Sequence, residues 1–346
     1  MSEELTQKFN SLKRRFEQLT DDVRMDSVNR EVTSLTTTVH NMPSEIEKIR
    51  QRGYAFRSYL EQKAEVFGKH WEALRHRVTL AIERESNDLQ SDFEDADRQV
   101  KFAERVQDQP SRLEGFLDNL ESSVSSLETK VSGAARRVQD MYATLKKDVD
   151  ENQRQLTEIS WFCDIKDEAT FDFLAGESLF MVAKGEWVAT GKGKDDPDGF
   201  LYLTDHRIMF EQKEKVGKTF GLFGGKQVQE LEWEVPLNQI EKVEWENKGM
   251  FGGKDMLHFT LRSGAAYDKL TVEVKGAADN KSWVKQIERM IAGETNDERA
   301  IQPDPEMLEN LRNAPTECHI CGATLPMIAG NMTQLECEYC GSVIRI

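Results

Sequence analysis

In the middle of the chain, from residue 185 to residue 275, apolar and polar side chains alternate with a period of two. The clearest examples are the stretches 231–235, 257–261 and 270–274. This alternation is typical of antiparallel strands that have one face on a core and the other in water. Together with further short apolar runs in the same region, it predicts about seven strands.

The apolar period changes to about 3.6 residues directly after this region. From Trp283 to Ile291 the apolar positions form one stripe, and Asp279 or Asn280 precedes it as a candidate cap. The pattern therefore predicts one helix that closes a small all-β barrel. We place this central domain at residues 165–292.

The first part of the chain, residues 1–162, has apolar positions at alternating steps of three and four. The repeat changes phase between Val23 and Val28 and is broken at Pro43 and Pro110, which predicts about three helices. From Leu117 to Leu145, and on to Asn152 and Ile159, the repeat continues over about four to six heptads, as in a coiled coil. The fold class is therefore multidomain, with an N-terminal α-helical coiled coil before the β domain.

The apolar seam of these helices needs a partner seam. Either the helices fold back on each other within one chain, or two chains pair. Because the helices differ in length, a hairpin would leave part of the seam uncovered, so we favour a homo-oligomer. We expect this region to be an oligomerisation stalk; the alternative is a membrane-remodelling rod, similar to the helical hairpins of the phage-shock family.

Two runs in the β region carry a family resemblance. The stretch Gly199–Phe210, with its Leu-Tyr-Leu-Thr-Asp-His-Arg core, and the stretch Val235–Val243 resemble the GRAM domains of the pleckstrin-homology-like fold. The resemblance covers about a third of the chain. It implies a binding module for lipid headgroups or for protein, without chemistry of its own.

Two loops of this domain are rich in lysine, glycine and large apolar residues and contain no acid. They are Lys215–Lys226 and Lys248–Lys254. In an up-and-down meander both would lie at one end of the barrel, together with the Lys192–Lys194 loop. Apolar tips can enter the acyl boundary of a membrane while lysines meet anionic headgroups. The predicted lipid- or partner-binding residues are Lys215, Lys218, Phe220, Leu222, Phe223, Lys226, Lys248, Met250, Phe251 and Lys254. The alternatives are contact with a protein partner, or loops that pack on each other or on the coiled coil.

The C-terminal region carries four of the five cysteines of the chain. They form two Cys-x-x-Cys pairs, each followed by glycine, with fifteen residues between the inner cysteines. Two such pairs predict a four-thiolate site for structural Zn²⁺, with Cys318, Cys321, Cys337 and Cys340 as its ligands. The segment 316–346 resembles a zinc ribbon, and residues 293–315 are predicted to be a linker.

Charge restricts the partners. The net charge is −16, and residues 303–346 contain two arginines against six acids, so binding to a phosphate backbone is disfavoured. No run of eighteen apolar residues and no signal sequence is present, so we expect a cytoplasmic protein that can bind peripherally at the inner face of a membrane.

No nucleophile elbow, paired-carboxylate pocket or cofactor fingerprint is present in the sequence, so we expect a protein that is not an enzyme. The sequence favours an adaptor or scaffold that oligomerises through its coiled coil, binds a membrane surface or a protein through its GRAM-like barrel and docks a partner through its ribbon. The alternatives are a soluble scaffold subunit without lipid contact and, less favoured by charge, a regulator associated with nucleic acid.

Overall fold

The computed structural model describes residues 2–192, 196–216, 226–248, 253–276, 279–305, 317–323, 325, 334–337 and 339–345. The chain forms two compact units, one of Met1–Glu45 with Leu60–Gln155 and one of Ile46–Tyr59 with Leu156–Ile346. The helices are α1 (Ser2–Val23), α2 (Asp26–Gln51), α3 (Tyr59–Val106), α4 (Pro110–Asp140), α5 (Ala143–Asp167) and α6 (Asn280–Ile291). The strands are β1 (Leu179–Trp187), β2 (Asp198–Thr204), β3 (Arg207–Val216), β4 (Lys226–Pro236), β5 (Ile240–Lys248), β6 (Lys254–Leu261), β7 (Lys269–Lys275), β8 (Gln334–Glu336) and β9 (Val343–Arg345).

The first unit is a bundle in which helices of one chain cover each other's apolar seams. The Phe16 ring of α1 stacks on Phe93 of α3 with centroids 4.9 Å apart, and Arg15 of α1 binds Glu128 of α4 at 2.6 Å. The heptad positions of α4 that are buried are Leu113, Leu117, Leu120, Val124, Leu127, Val131, Ala134 and Val138. The alternative in which the helices fold back within the chain therefore accounts for the seam. A homo-oligomer stays a prediction, which light scattering of the purified chain would test, but the seam no longer argues for it.

One of the two predicted proline breaks is found, since α4 begins at Pro110, but the break at Pro43 is not. Helix α2 continues through Pro43, although a proline inside a helix costs about 3 kcal/mol. Buried positions on both sides of it, from Val39 to Ile46, hold the helix in the bundle and outweigh that cost. The break comes instead at Gly53, whose φ of 83° is left-handed. An earlier break between α1 and α2, with Met25 at φ 57°, explains the phase change of the apolar repeat.

The second unit contains the predicted seven strands and the closing helix. The strands form one antiparallel sheet in the order β4-β3-β2-β1-β7-β6-β5, and helix α6 buries Trp283 and Ile287. The Asp279 side chain caps α6 by accepting from the Ser282 amide at 3.0 Å. Strands β4 and β5 are the edges of this order, and no pairing joins them in the part of the chain that the structure describes. Seven strands and one helix are thus confirmed, whereas closure into a barrel and membership of the GRAM family stay predictions.

The sequence predicts that the three lysine-rich loops lie at one end of the sheet, and this prediction is wrong for the β5–β6 loop. Strand β7 runs antiparallel to β1, β6 to β7, and β5 to β6. The β3–β4 connection therefore lies at the same end as the β1–β2 connection, but the β5–β6 connection lies at the opposite end. The prediction took β5 to run antiparallel to β4. In the observed order each strand is antiparallel to its neighbour from β4 round to β5, and because seven is an odd number the two edge strands β4 and β5 run in the same direction.

A short segment of the N-terminal region belongs to the second unit, which the sequence pattern did not indicate. The Tyr54 hydroxyl donates to the Phe180 carbonyl at 3.3 Å, and the Ala300 amide donates to the Ala55 carbonyl at 2.7 Å. The segment is held in shape by Arg50, whose guanidinium donates to three carbonyls of residues 54–57. Within the described residues, none of the helices combines the length and the apolar composition needed to cross a bilayer.

Candidate metal centre and basic sheet end

The four predicted cysteine ligands lie together. Their Sγ atoms are all within 4.8 Å of one another. The Sγ atoms of Cys318 and Cys340 are 3.6 Å apart, as are those of Cys321 and Cys337. A disulfide has an S–S distance of about 2.05 Å, so these are four free thiols.

Each Cys-x-x-Cys pair is folded by its own backbone. The Gly322 amide donates to the Cys318 carbonyl and the Gly341 amide to the Cys337 carbonyl, both at 2.8 Å. Both glycines have positive φ, 73° and 68°, which a residue with a Cβ rarely adopts. The sequence therefore positions the two sulfurs of each pair by local turns, and the β8–β9 hairpin brings the second pair into place.

Ser342 acts on two of the sulfurs, and the sequence analysis missed it. Its hydroxyl lies 3.2 Å from Cys318 Sγ and 3.0 Å from Cys340 Sγ. This contact lowers the pKa of Cys318 to about 5, and the Ser342 hydroxyl and amide also lower the pKa of Cys340. The Ala323 amide lowers the pKa of Cys321, but desolvation and the neighbouring thiols raise it to about 12. The neighbouring thiols therefore hinder the ionisation of Cys321, which a bound cation would relieve.

The cluster fits a tetrahedral metal ion. With metal–sulfur distances of about 2.3 Å, the sulfurs of a four-thiolate zinc site lie about 3.8 Å apart. The two S–S distances of 3.6 Å are close to this tetrahedron edge. Around the site, the buried apolar side chains of the described residues are only Leu325, Leu335 and Ile344, besides Cys318 and Cys337. The donor set and the spacing therefore suit a four-coordinate ion of the zinc type.

The predicted lipid-binding residues are only partly described. Lys218, Phe220, Leu222, Phe223, Met250 and Phe251 lie outside the described residues. Of the other four, Lys215, Lys226 and Lys248 are exposed. Lys254 forms an ion pair with Glu273. Strand directions place Lys215 and Lys226 at one end of the sheet and Lys248 and Lys254 at the other.

We call the first of these ends the basic end and define it by the connections and outermost residues of the strands there. Its exposed cations are Lys192, Lys215, Lys226, Arg262 and Lys269, and none of them has a side-chain partner among the described residues. Arg262 and Lys269, on either side of the β6–β7 connection, were missed because the sequence analysis considered only the lysine- and glycine-rich loops.

Two of the acids at the basic end are engaged by groups other than the exposed cations. The Asp196 carboxylate is buried and accepts from the Thr190 and Gly191 amides, and Asp198 pairs with Lys275 at 2.5 Å. Glu241 and Asp268 are exposed. Among the residues of this end that the structure describes, the five exposed cations therefore outnumber the exposed acids, in a chain whose net charge is −16.

The opposite end of the sheet has buried, paired charges. The Arg207 guanidinium, 4% exposed, donates to both carboxylate oxygens of Glu177 at 2.9 and 3.0 Å. It also pairs with Glu234. Next to it, Asp205 accepts from Arg299 at 2.5 Å and lies 2.8 Å from His206 Nδ1. The hydrogen bond to Asp205 raises the pKa of His206. Every charge in this group has a partner, so this group of charges contributes to stability rather than to binding.

No protein-family model and no curated protein sequence matches the chain. Among solved structures, the chain is similar to the Vps36 N-terminal PH domain, with 13% identity over 36% of this chain and 94% of that chain and a TM-score of 0.25. A pleckstrin homology domain from Shewanella amazonensis has 21% identity over 34% and 86%, with a TM-score of 0.23. The DH/PH domains of PDZ-RhoGEF have 11% identity over 78% and 94%, with a TM-score of 0.28.

Proposed function

We propose that the chain is a non-enzymatic adaptor whose β-sheet unit binds an anionic surface through the basic end and whose four cysteines hold a structural zinc ion. The observation that carries the first part is the group of five exposed cations at one end of the sheet, which have no side-chain partner in the part of the chain that the structure describes. Like charges held close together repel each other and so do not stabilise the fold. An anionic ligand would relieve this repulsion.

An anionic membrane surface is the ligand that these cations suit best. A basic residue near such a surface contributes about 1 kcal/mol. The β3–β4 connection, between Lys215 and Lys226, also carries Phe220, Leu222 and Phe223 in its sequence. Apolar side chains beside lysines are the combination that peripheral membrane binding needs. Anionic lipid is therefore the proposed ligand of this end.

The zinc ion would stabilise the C-terminal segment. That segment has a very small apolar core, and units of this size depend on a metal or a disulfide for their stability. Four thiolates close the coordination shell, so the ion would have no open position for water or substrate. Cys318, Cys321, Cys337 and Cys340 would hold it, and its chemistry would be structural. The same closed shell supports the proposal that the chain is not an enzyme.

Co-sedimentation with vesicles tests the first part of the proposal. We expect the protein to bind vesicles that contain phosphatidylserine and not vesicles of phosphatidylcholine alone. The variant Lys215→Gln/Lys226→Gln/Lys269→Gln should bind on the order of 100-fold more weakly, since three contributions of about 1 kcal/mol are lost.

The matched control removes the same charge elsewhere. Lys248, Lys281 and Lys285 are exposed and lie outside the basic end. The variant Lys248→Gln/Lys281→Gln/Lys285→Gln should bind vesicles within about threefold of the unmodified protein, because it keeps all five cations of the basic end. Equal losses in the two variants would show that only net charge matters. An absence of vesicle binding by the unmodified protein would favour the alternative, a soluble scaffold without lipid contact.

Zinc content tests the second part. Purified protein should contain one zinc ion per chain, measured by atomic absorption, and Cys337→Ser should lose it. Protein that contains no zinc after purification and reconstitution would contradict the assignment.

A further inference from the structure

Both Cys-x-x-Cys turns expose a large apolar side chain directly before their second cysteine. Ile320 is 66% exposed and Tyr339 is 83% exposed, and Val343 at the start of β9 is 55% exposed. These three side chains remain exposed, although the described part of the segment buries few apolar residues of its own. Large exposed apolar side chains that cluster mark an interaction site.

The two turns that carry Ile320 and Tyr339 meet at the sulfur cluster. The Sγ atoms of Cys321 and Cys340 lie within 4.8 Å of each other, and both cysteines are exposed, whereas Cys318 and Cys337 are buried. Ile320 and Tyr339 immediately precede the two exposed cysteines, so they flank the same pair of sulfurs. We call the surface formed by Ile320, Cys321, Tyr339 and Cys340 the ribbon tip.

The residues around the ribbon tip carry negative charge. Glu317 and Glu336 are exposed, and Glu336 Oε1 lies 3.6 Å from the position that a Cβ on Gly341 would take, next to the second turn. From residue 317 to the last residue, the sequence holds three glutamates and one arginine. A zinc ion held by four thiolates adds a net charge of about −2 at the centre. The tip is therefore an apolar surface with an anionic centre and rim.

We propose that the ribbon tip docks a polypeptide segment in which large apolar side chains lie between lysines or arginines. The apolar side chains would pack between Ile320 and Tyr339, and the cations would meet the exposed sulfurs and Glu336. Anionic lipid and nucleic acid carry the same sign of charge as the tip, so both are disfavoured there. This inference rests on the proposed zinc ion, which supplies the thiolate charge.

Fluorescence anisotropy with three labelled peptides of equal length tests the proposal on the full-length, zinc-loaded protein. One probe has Lys-Phe-Lys-Leu-Lys at its centre, the second has Glu-Phe-Glu-Leu-Glu and the third has Lys-Ser-Lys-Ser-Lys. We expect only the first to bind at micromolar concentration. Equal binding of the glutamate probe, or equal binding of the serine probe, would overturn the proposal.

Variants locate the binding surface. Ile320→Ser/Tyr339→Ser should weaken binding of the first probe at least tenfold, and Glu336→Gln should weaken it a few-fold. The matched control is Val66→Ser/Leu80→Ser in α3, where the replaced side chains are 59% and 50% exposed; it should bind as the unmodified protein does. Equal effects in the two double variants would contradict a specific site.

Two further measurements separate this proposal from the proposed function. Every variant is assayed for zinc, and Ile320→Ser/Tyr339→Ser should retain one ion per chain, because it keeps all four sulfurs. The same variant should co-sediment with phosphatidylserine vesicles as the unmodified protein does. Loss of vesicle binding would show that the tip contacts lipid and would overturn the peptide-docking proposal. Failure of peptide binding by a zinc-loaded, vesicle-binding protein would refute this inference alone.

Discussion

The two ends of the seven-stranded sheet both contain basic residues, but their environments differ. At the end where β3 begins, Arg207 is 4% exposed and is held by Glu177 and Glu234. At the end where β3 finishes, Lys215 is exposed and has no side-chain partner among the described residues. Burial of a charge requires a partner at short distance, whereas an exposed cation keeps its water and can exchange it for a ligand. The comparison therefore indicates a stabilising role for the paired charges at the first end and supports the proposed binding role of the basic end.

The largest expected effect comes from removing one partner of the buried pair. Glu177→Gln leaves the Arg207 charge buried with less compensation, which should lower the free energy of unfolding by about 3–5 kcal/mol. Urea denaturation followed by tryptophan fluorescence measures it. Lys215→Gln at the basic end should change the same quantity by less than about 0.5 kcal/mol. A Glu177→Gln protein as stable as the unmodified one would remove the distinction between the ends.

The next effect concerns binding rather than stability. Lys215→Gln/Lys226→Gln/Lys269→Gln should lower the affinity for phosphatidylserine vesicles on the order of 100-fold. Its urea midpoint should stay close to that of the unmodified protein, because none of the three side chains has a partner to lose among the described residues. A large loss of stability would show instead that these lysines support the fold.

Salt should separate the two ends further. At an ionic strength of about 0.15 M the Debye length is about 8 Å, and at 1 M it is about 3 Å. Raising the salt from 0.1 M to 0.5 M should weaken vesicle binding at least tenfold, since the cations of the basic end are exposed. The destabilisation caused by Glu177→Gln should change little, because buried pairs are screened less. Vesicle binding that is insensitive to salt would contradict an electrostatic contact.

The smallest expected effect is a pH dependence at the paired end. The pKa of His206 is raised by its hydrogen bond to Asp205, so the folded protein binds the proton more tightly than the unfolded chain. The contribution to stability is complete below the unfolded pKa of about 6.5 and is lost as the pH rises through the folded pKa. Because the His206 side chain is 41% exposed, we expect less than about 1 kcal/mol.

Urea midpoints at pH 6 and pH 8, compared between the unmodified protein and His206→Gln, isolate this contribution. The unmodified protein should lose its advantage over the variant at pH 8. An advantage that is the same at both pH values would show that the Asp205 contact does not favour the protonated ring.

The elements that could be predicted from sequence are those whose determinants are local. The alternation at residues 231–235 identified a strand, and Asp279 was found as one of two candidate caps of α6. The two Cys-x-x-Cys pairs identified the four-cysteine cluster, because each turn is set by its own glycine and backbone hydrogen bonds. Ser342 was missed at the same site, since its role depends on reaching Cys318 across the hairpin.

The elements that could not be predicted depend on which surfaces meet. The heptad seam of α4 predicted a partner but could not say whether it was a second chain, and helices of the same chain cover it. Pro43 lies in a continuous helix because packing on both sides of it outweighs its local cost. The segment from Tyr54 to Ser58 joins the β unit through carbonyl and amide contacts that leave no apolar period in the sequence.

The amino-acid sequence alone determined the strands, the closing helix and the four cysteine ligands, because side-chain period and turn chemistry act over a few residues. Only the tertiary structure decided which strand ends lie at the same end of the sheet, and therefore which cations lie near one another. That choice depends on β7 pairing with β1 across more than eighty residues of chain, and side-chain period does not record the direction of a distant neighbour.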